Sequence, residues 1–254
     1  MKDLKEFLFG NLYRSDCHAN LFGRNTMAKY PPINVETSIA MINNDIEYKD
    51  ESLFKYFETY CKDHLKGAVA ANGKDIDEIK KVIEISHQQF VCIGEIKGHK
   101  HYINQQKEEK QYDNAELAAQ ACELNLPVFL HWDLDGACDD VLETIIKNTT
   151  SKIVLCHCGM NDIDDKEAAF KKAVELQHKY SNLWIEISWV AYSYIERDNR
   201  KLSQIDTDRL LLGTDLTNFD SKEDIDLTIA NFDYWSKQLN QKRNIKNLLY
   251  FAYK

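Results

Sequence analysis

His18, Glu95, His131, His157 and Asp215 are of types that bind metal ions or carry protons, and each stands where a short apolar run gives out. Imidazole nitrogens and carboxylate oxygens together make the donor set of one or two divalent ions, zinc first, with manganese or magnesium as alternatives. Glu95 interrupts Cys92-Ile93-Gly94-Glu95-Ile96, and a carboxylate inside an apolar run is unfavourable unless it is paired or bound. His131 closes Pro127-Val-Phe-Leu-His131, His157 lies in Leu155-Cys-His-Cys-Gly159, and Asp215 closes Leu210-Leu-Leu-Gly-Thr-Asp215. Each alone has a structural explanation: a histidine hydrogen-bonded to nearby backbone, cysteines that fill a core, an aspartate that caps the next element. Together they point to metal-assisted hydrolysis, in which a bound ion acidifies water and polarises the substrate's carbonyl or phosphoryl oxygen while a carboxylate takes the proton. Asp215 is the candidate base. Lys97, two residues past Glu95, would share its side of a strand, where it either neutralises an anionic substrate group or pairs with Glu95. Trp189 and Tyr192 follow the alternating run Trp184-Ile-Glu-Ile-Ser188 and either wall a substrate pocket or cover the end of the core. His99 and His101 extend into a loop, where solvated side chains are expected.

Residues so far apart in the chain meet only if the elements carrying them end at one face. Short β-branched or apolar runs predict strands at Asn11–His18, Thr37–Ile42, Lys66–Ala71, Phe90–Lys97, Pro127–His131, Lys152–Cys156, Leu183–Ser188 and Arg209–Thr214. Between them, helices are predicted over Asp50–His64, Asp75–Gln89, Asn114–Asn125, Asp135–Asn148, Asp164–Tyr180, Ser221–Gln238 and Asn244–Tyr253. The polar, poorly periodic stretch Tyr192–Gln204 predicts an irregular connection. In the second helix Ile76, Ile79 and Ile83 share one face and Asp75 is placed as N-cap. Continuous apolar runs such as Val128–Leu130 and Ile153–Leu155 suit parallel strands covered on both faces, and their alternation with helices implies βαβ units. Eight such units in 254 residues, with no linker or break in composition, describe an α/β chain folded as one (β/α)8 barrel domain over residues 1–254. Barrel enzymes build their sites at the C-terminal ends of the strands, and that is where the five residues are expected.

With 32 Lys and Arg against 41 Asp and Glu, the net charge of −9 works against a nucleic-acid-binding surface and leaves a small-molecule substrate as the expected partner. The N-terminal apolar run is short and broken by Gly10, and no stretch approaches the roughly 18 apolar residues of a membrane span. A soluble cytoplasmic protein without membrane contact is expected, with a homo-oligomer left open. Seven cysteines, an odd number with no Cys-x-x-Cys pair, suit reduced thiols rather than a disulfide framework.

Asp16-Cys17-His18-Ala19-Asn20, Gly94-Glu95-Ile96, Pro127–His131, His157-Cys158-Gly159 and Leu212-Gly213-Thr214-Asp215 resemble, in order, the strand-end motifs of the amidohydrolase superfamily. The match is nearest to the amidohydrolase-related metal-dependent hydrolases, and the Gly-Glu-Ile segment is also similar to TatD-type hydrolases. This resemblance implies a metal-dependent hydrolase in which His18 and Asp215 bind the more buried ion, His131 and His157 bind a second, Glu95 bridges them, and Asp215 also shuttles the proton. Where the family has His-x-His on the first strand, this chain has His18-Ala19-Asn20, and an Asn carbonyl oxygen is a poorer zinc partner than imidazole. The TatD pattern Gly-Glu-Ile-Gly-Leu-Asp is replaced by Gly-Glu-Ile-Lys-Gly-His, and the expected Arg after the fifth-strand His is Asp133, which weakens a nuclease reading. The expected substrate is a small ester, lactone, amide or phosphoester. The alternatives are a non-oxidative decarboxylase on the same site, an inactive barrel acting as a binding module, which Asn20 keeps open, and a Schiff-base aldolase using Lys97.

Overall fold

In a computed structural model, which describes residues 15–21, 37–42, 65–69, 75–85, 90–98, 114–136, 138–161, 163–196, 198–215 and 222–250, eight strands form one parallel sheet in chain order. They are β1 (Ser15–Leu21), β2 (Thr37–Ile42), β3 (Leu65–Val69), β4 (Phe90–Lys97), β5 (Val128–His131), β6 (Ile153–Leu155), β7 (Leu183–Ile187) and β8 (Leu210–Leu212). Each pairs in parallel with the next, and β8 comes back against β1, so the sheet is a (β/α)8 barrel.

The later strands are buried along their whole length, as continuous apolar runs require. Phe129, Val154, Trp184 and Leu211 fill the lumen, while Val128, Leu130, Ile153, Leu155, Ile185, Leu210 and Leu212 belong to the layer packed under the helices. Register follows this division. Phe129 pairs with Val154 and Val154 with Trp184, so neighbours in the ladder share a face.

Eight α-helices are described: α1 (Ile76–Ile85), α2 (Asn114–Cys122), α3 (Asp139–Lys147), α4 (Lys166–Lys179), α5 (Val190–Ile195), α6 (Asn199–Leu202), α7 (Lys222–Ser236) and α8 (Gln241–Leu249). Asp75 caps α1 as expected. Its Oδ1 accepts from the Glu78 amide at 2.8 Å, and the Glu78 carboxylate accepts from the Asp75 amide at 3.2 Å, a reciprocal capping box. On α3 the buried positions Leu142, Ile145 and Ile146 form one stripe facing the sheet. Ile245, Leu248 and Leu249 of α8 join the lumen core. Asn244 Nδ2 donates to Leu210 O, at the start of β8, and Lys152 Nζ, just before β6, donates to Leu248 O. Both anchors lie where strands begin, so α8 closes the N-terminal end of the barrel and leaves the other end for chemistry.

Two expectations change. The first strand runs over Ser15–Leu21 rather than Asn11–His18, because its ladder with β2 continues through Asn20 to Leu21 and so places His18 mid-strand. The connection expected to be irregular over 192–204 carries α5 and α6, the latter capped by the Asp198 side chain on the Arg200 amide. The helix predicted at Asp50–His64 lies outside the described residues, as do His99 and His101. No helix among the described residues is long and apolar enough to cross a membrane.

Candidate metal centre

Glu95 reaches the barrel mouth through a bulge. Ile93 and Ile96, three residues apart, both pack in the layer under the helices, and the β4–β5 register shifts between them. Gly94 makes the bulge feasible: its φ is +121°, and a Cβ there would come within 2.4 Å of Phe129 O. His131 is the last residue of β5 and pairs in register with Lys97. His157 follows β6 in a turn where His157, Cys158 and Gly159 have φ of 53°, 54° and 68°. Asp215 lies beyond β8 at φ 51°.

These elements bring four of the expected residues together. Glu95 Oε1 is 2.7 Å from His131 Nδ1 and 3.0 Å from His157 Nε2, and Asp215 Oδ2 is 3.7 Å from that same His157 nitrogen. The two imidazole rings meet edge to face, with centroids 4.8 Å apart. Burial pushes the Glu95 carboxyl up, but His131 and His157 outweigh it and hold it well below the usual carboxylate range. Burial likewise opposes charge on His157, and Asp215, Glu95 and Glu186 together overcome it, so its pKa lies above the ordinary histidine value.

Among the described residues, Glu95, His131 and His157 are the group of three whose donor atoms lie close enough to hold one metal ion, all within 4.8 Å of one another. Donors bound about 2.0–2.2 Å from a divalent ion stand about 3.0–3.6 Å apart. The 2.7 Å separation lies just short of that range and the 3.0 Å one at its lower edge, while the widest in the group reaches beyond it, so two nitrogens and an oxygen would close on such an ion with adjustment of the side chains.

Left-handed backbone at a residue other than glycine costs about 1–3 kcal/mol and persists where the surroundings enforce it. His157, Cys158, Trp189 and Asp215 all adopt it, and all lie just past the ends of β6, β7 and β8. Four of the six described non-glycine residues with positive φ thus lie at the rim that carries Glu95, His131, His157 and Asp215.

Two further polar residues, Glu186 and Ser188, are fully buried behind His157. Glu186 Oε2 accepts from the His157 amide at 2.8 Å and from Ser188 Oγ at 2.9 Å, and Ser188 Oγ lies 2.8 Å from His157 Nδ1. Neither was singled out from the sequence. Glu186 carries the same signal as Glu95, a carboxylate inside the apolar run Leu183–Ile187, whereas Ser188 carries none.

His18 and Asn20 lie on β1, where the structure defines the backbone. Lys97 is half-buried at the end of β4, its carbonyl held by Asn114 Nδ2. Trp189 is half-buried just past β7. Tyr192, expected on a pocket wall or over the core, takes the second place: it is 1% exposed and its hydroxyl donates to Gly213 O at 3.0 Å. That bond ties α5 to the turn leading into Asp215.

The amidohydrolase family model matches residues 69–241, more than half of the chain. The chain belongs to this family of metal-dependent hydrolases. Similar solved structures include a candidate 2-pyrone-4,6-dicarboxylic acid hydrolase from Pseudomonas putida, at 16% identity and TM-score 0.63, covering 93% of this chain and 97% of that one. An amidohydrolase from Burkholderia multivorans with bound zinc matches at 13% identity and TM-score 0.58, over 94% of this chain and 99% of the other. A TatD family hydrolase from Entamoeba histolytica matches at 13% identity and TM-score 0.57, over 94% and 96%. At these identities the likeness is one of fold. No curated protein matches the chain.

Proposed function

We propose that the protein is a zinc-dependent hydrolase of a small ester, lactone, amide or phosphoester, with manganese or magnesium as alternative ions. The supporting observation is the convergence of Glu95, His131 and His157 with Asp215 at one end of a barrel whose other end is closed by α8. Glu95, His131 and His157 would hold the ion. His18, and Asn20 through its carbonyl oxygen, are proposed as further ligands from β1, on the strength of the sequence resemblance alone. A divalent ion in this site supplies Lewis acidity toward the substrate oxygen and brings the acidity of water close to neutral pH.

The remaining steps belong to side chains. Asp215 is half-buried and 3.7 Å from His157 Nε2, where it would accept the proton of the attacking water and return it to the leaving group. Lys97, in register with His131, would sit beside the reacting group and neutralise an anionic substituent. Trp189 would lie against the substrate at the rim. The net charge of −9 disfavours nucleic acid as substrate.

The test is elemental analysis of protein purified without chelator, followed by a panel of esters, lactones, amides and phosphoesters. The Lys97 argument places carboxylated lactones first, including 2-pyrone-4,6-dicarboxylate, the compound in the name of one structural neighbour. Near-stoichiometric zinc, with hydrolysis lost to a chelator and restored by zinc, is the expected result. Substoichiometric metal together with no thermal stabilisation by zinc or manganese would overturn the proposal in favour of a binding module. Release of CO₂ without addition of water would overturn it in favour of a decarboxylase.

A further inference from the structure

We infer that Glu186 and Ser188 are positioning residues that set the tautomer of His157 and so turn its Nε2 lone pair toward the metal centre. The inference rests on the metal-dependent reading above for its purpose, but its geometry stands apart from it. Glu186 Oε2 has two donors aimed at it, the His157 amide at 2.8 Å and the Ser188 hydroxyl at 2.9 Å. An ionised carboxylate only accepts, so the Ser188 hydroxyl proton points at Glu186. The serine oxygen then faces His157 Nδ1, 2.8 Å away, with a lone pair, and that ring nitrogen must carry the proton. On the other side of the ring Nε2 faces two more acceptors, Glu95 Oε1 at 3.0 Å and Asp215 Oδ2 at 3.7 Å, so it too carries a proton in the metal-free protein; an ion bound there would replace that proton while Nδ1–H stays on Ser188.

Burial strengthens the argument. His157, Glu186 and Ser188 are all buried, so the three groups are constrained to satisfy one another. Glu186 also acts at two points on the same residue: it holds the His157 main chain in its left-handed turn and, through Ser188, holds the ring. Ligand histidines are commonly oriented by an acceptor on the ring nitrogen that faces away from the metal. Here a serine placed between the ring and a buried carboxylate performs that task.

Selective ¹⁵N labelling of histidine in the zinc-loaded protein reads which ring nitrogen binds the ion and which keeps its proton. His157 is expected to bind zinc through Nε2 and to keep its proton on Nδ1, and Ser188→Ala is expected to weaken that preference. Competition with a chromophoric chelator then measures zinc affinity: Ser188→Ala is expected to weaken it about 10–100-fold. Ser188→Thr, which restores the hydroxyl, is expected to bind zinc more tightly than the alanine variant. An Nε2–H tautomer in the unaltered protein, or an unchanged zinc Kd in Ser188→Ala, would overturn the inference. Failure of the unaltered protein to bind zinc would instead overturn the metal-dependent reading.

Discussion

Glu95 and His157 stabilise one another's charged forms in the metal-free protein, and this gives stability a pH dependence with two limbs. The Glu95 pKa is lowered, so its contribution is present above the ordinary carboxylate range and fades as pH falls through the lowered value. The His157 pKa is raised, so its contribution is complete below about 6.5 and fades as pH rises through the raised value. Thermal melts in chelator across neutral and alkaline pH are therefore expected to show a falling Tm that His157→Gln makes shallower. An equal slope in the two proteins would mean that His157 is not held charged by its neighbours. Asp215 is tested by Asp215→Asn, because Asn tolerates the left-handed φ of 51° that most residues resist. Turnover of the substrate found by the panel is expected to fall about 10²–10⁴-fold while zinc content is retained. Retained turnover would remove Asp215 from the mechanism.

The bulge in β4 shows how one element aims a site residue. Gly94→Ala would place a Cβ 2.4 Å from Phe129 O and 3.0 Å from Phe129 Cβ, at a φ of +121° that side chains rarely adopt. Unfolding in urea is expected to show a loss of at least about 1–3 kcal/mol, accompanied by weaker zinc binding because Glu95 follows directly. Gly136→Ala makes the contrast, since its φ of +86° is also unfavourable but its Cβ would meet nothing within 4 Å. Zinc affinity unchanged in Gly94→Ala would show that the bulge does not position Glu95. The sequence makes β4 legible to the residue, and β5 to β8 nearly so, because strands buried on both faces read as uninterrupted apolar runs. It does not do so for β1, where Ser15, Asp16, His18 and Asn20 break the run and pairing with β2 sets the boundary. The same holds at the site. Glu95 stands out as a carboxylate in an apolar strand, and Glu186 offers that signal beside aromatic neighbours that suggest a pocket wall. Ser188 becomes meaningful only when β6 and β7 lie side by side, and Tyr192 has two readings in the sequence because α5 spans only six residues, too few to show a helical period.

Across the whole molecule, the candidate metal centre gathers strand ends that lie far apart in the chain. Glu95, His131, His157 and Asp215 come from β4, from β5 and from the turns after β6 and β8, and the unfolded chain has no short segment that brings them together. Zinc bound at the proposed centre would therefore favour the folded state, and such linkage contributes about 2.7 kcal/mol when free metal is 100 times its Kd. For a chain of this size each kcal/mol raises Tm by about 2–4 °C, so an increase of about 5–11 °C is expected. The increase should grow with the logarithm of free zinc rather than reach a limit, because binding is coupled to the whole unfolding transition. Thermal melts over a zinc series measure both the size and the slope. Buried Cys92, Cys156 and Cys158 could bind zinc after unfolding and reduce the shift, so the double variant His131→Ala, His157→Ala is the necessary comparison. If the increase survives in that variant, the ion is stabilising the protein from some other place; if it disappears, the four strand ends act as one site whose occupancy holds the mouth of the barrel together.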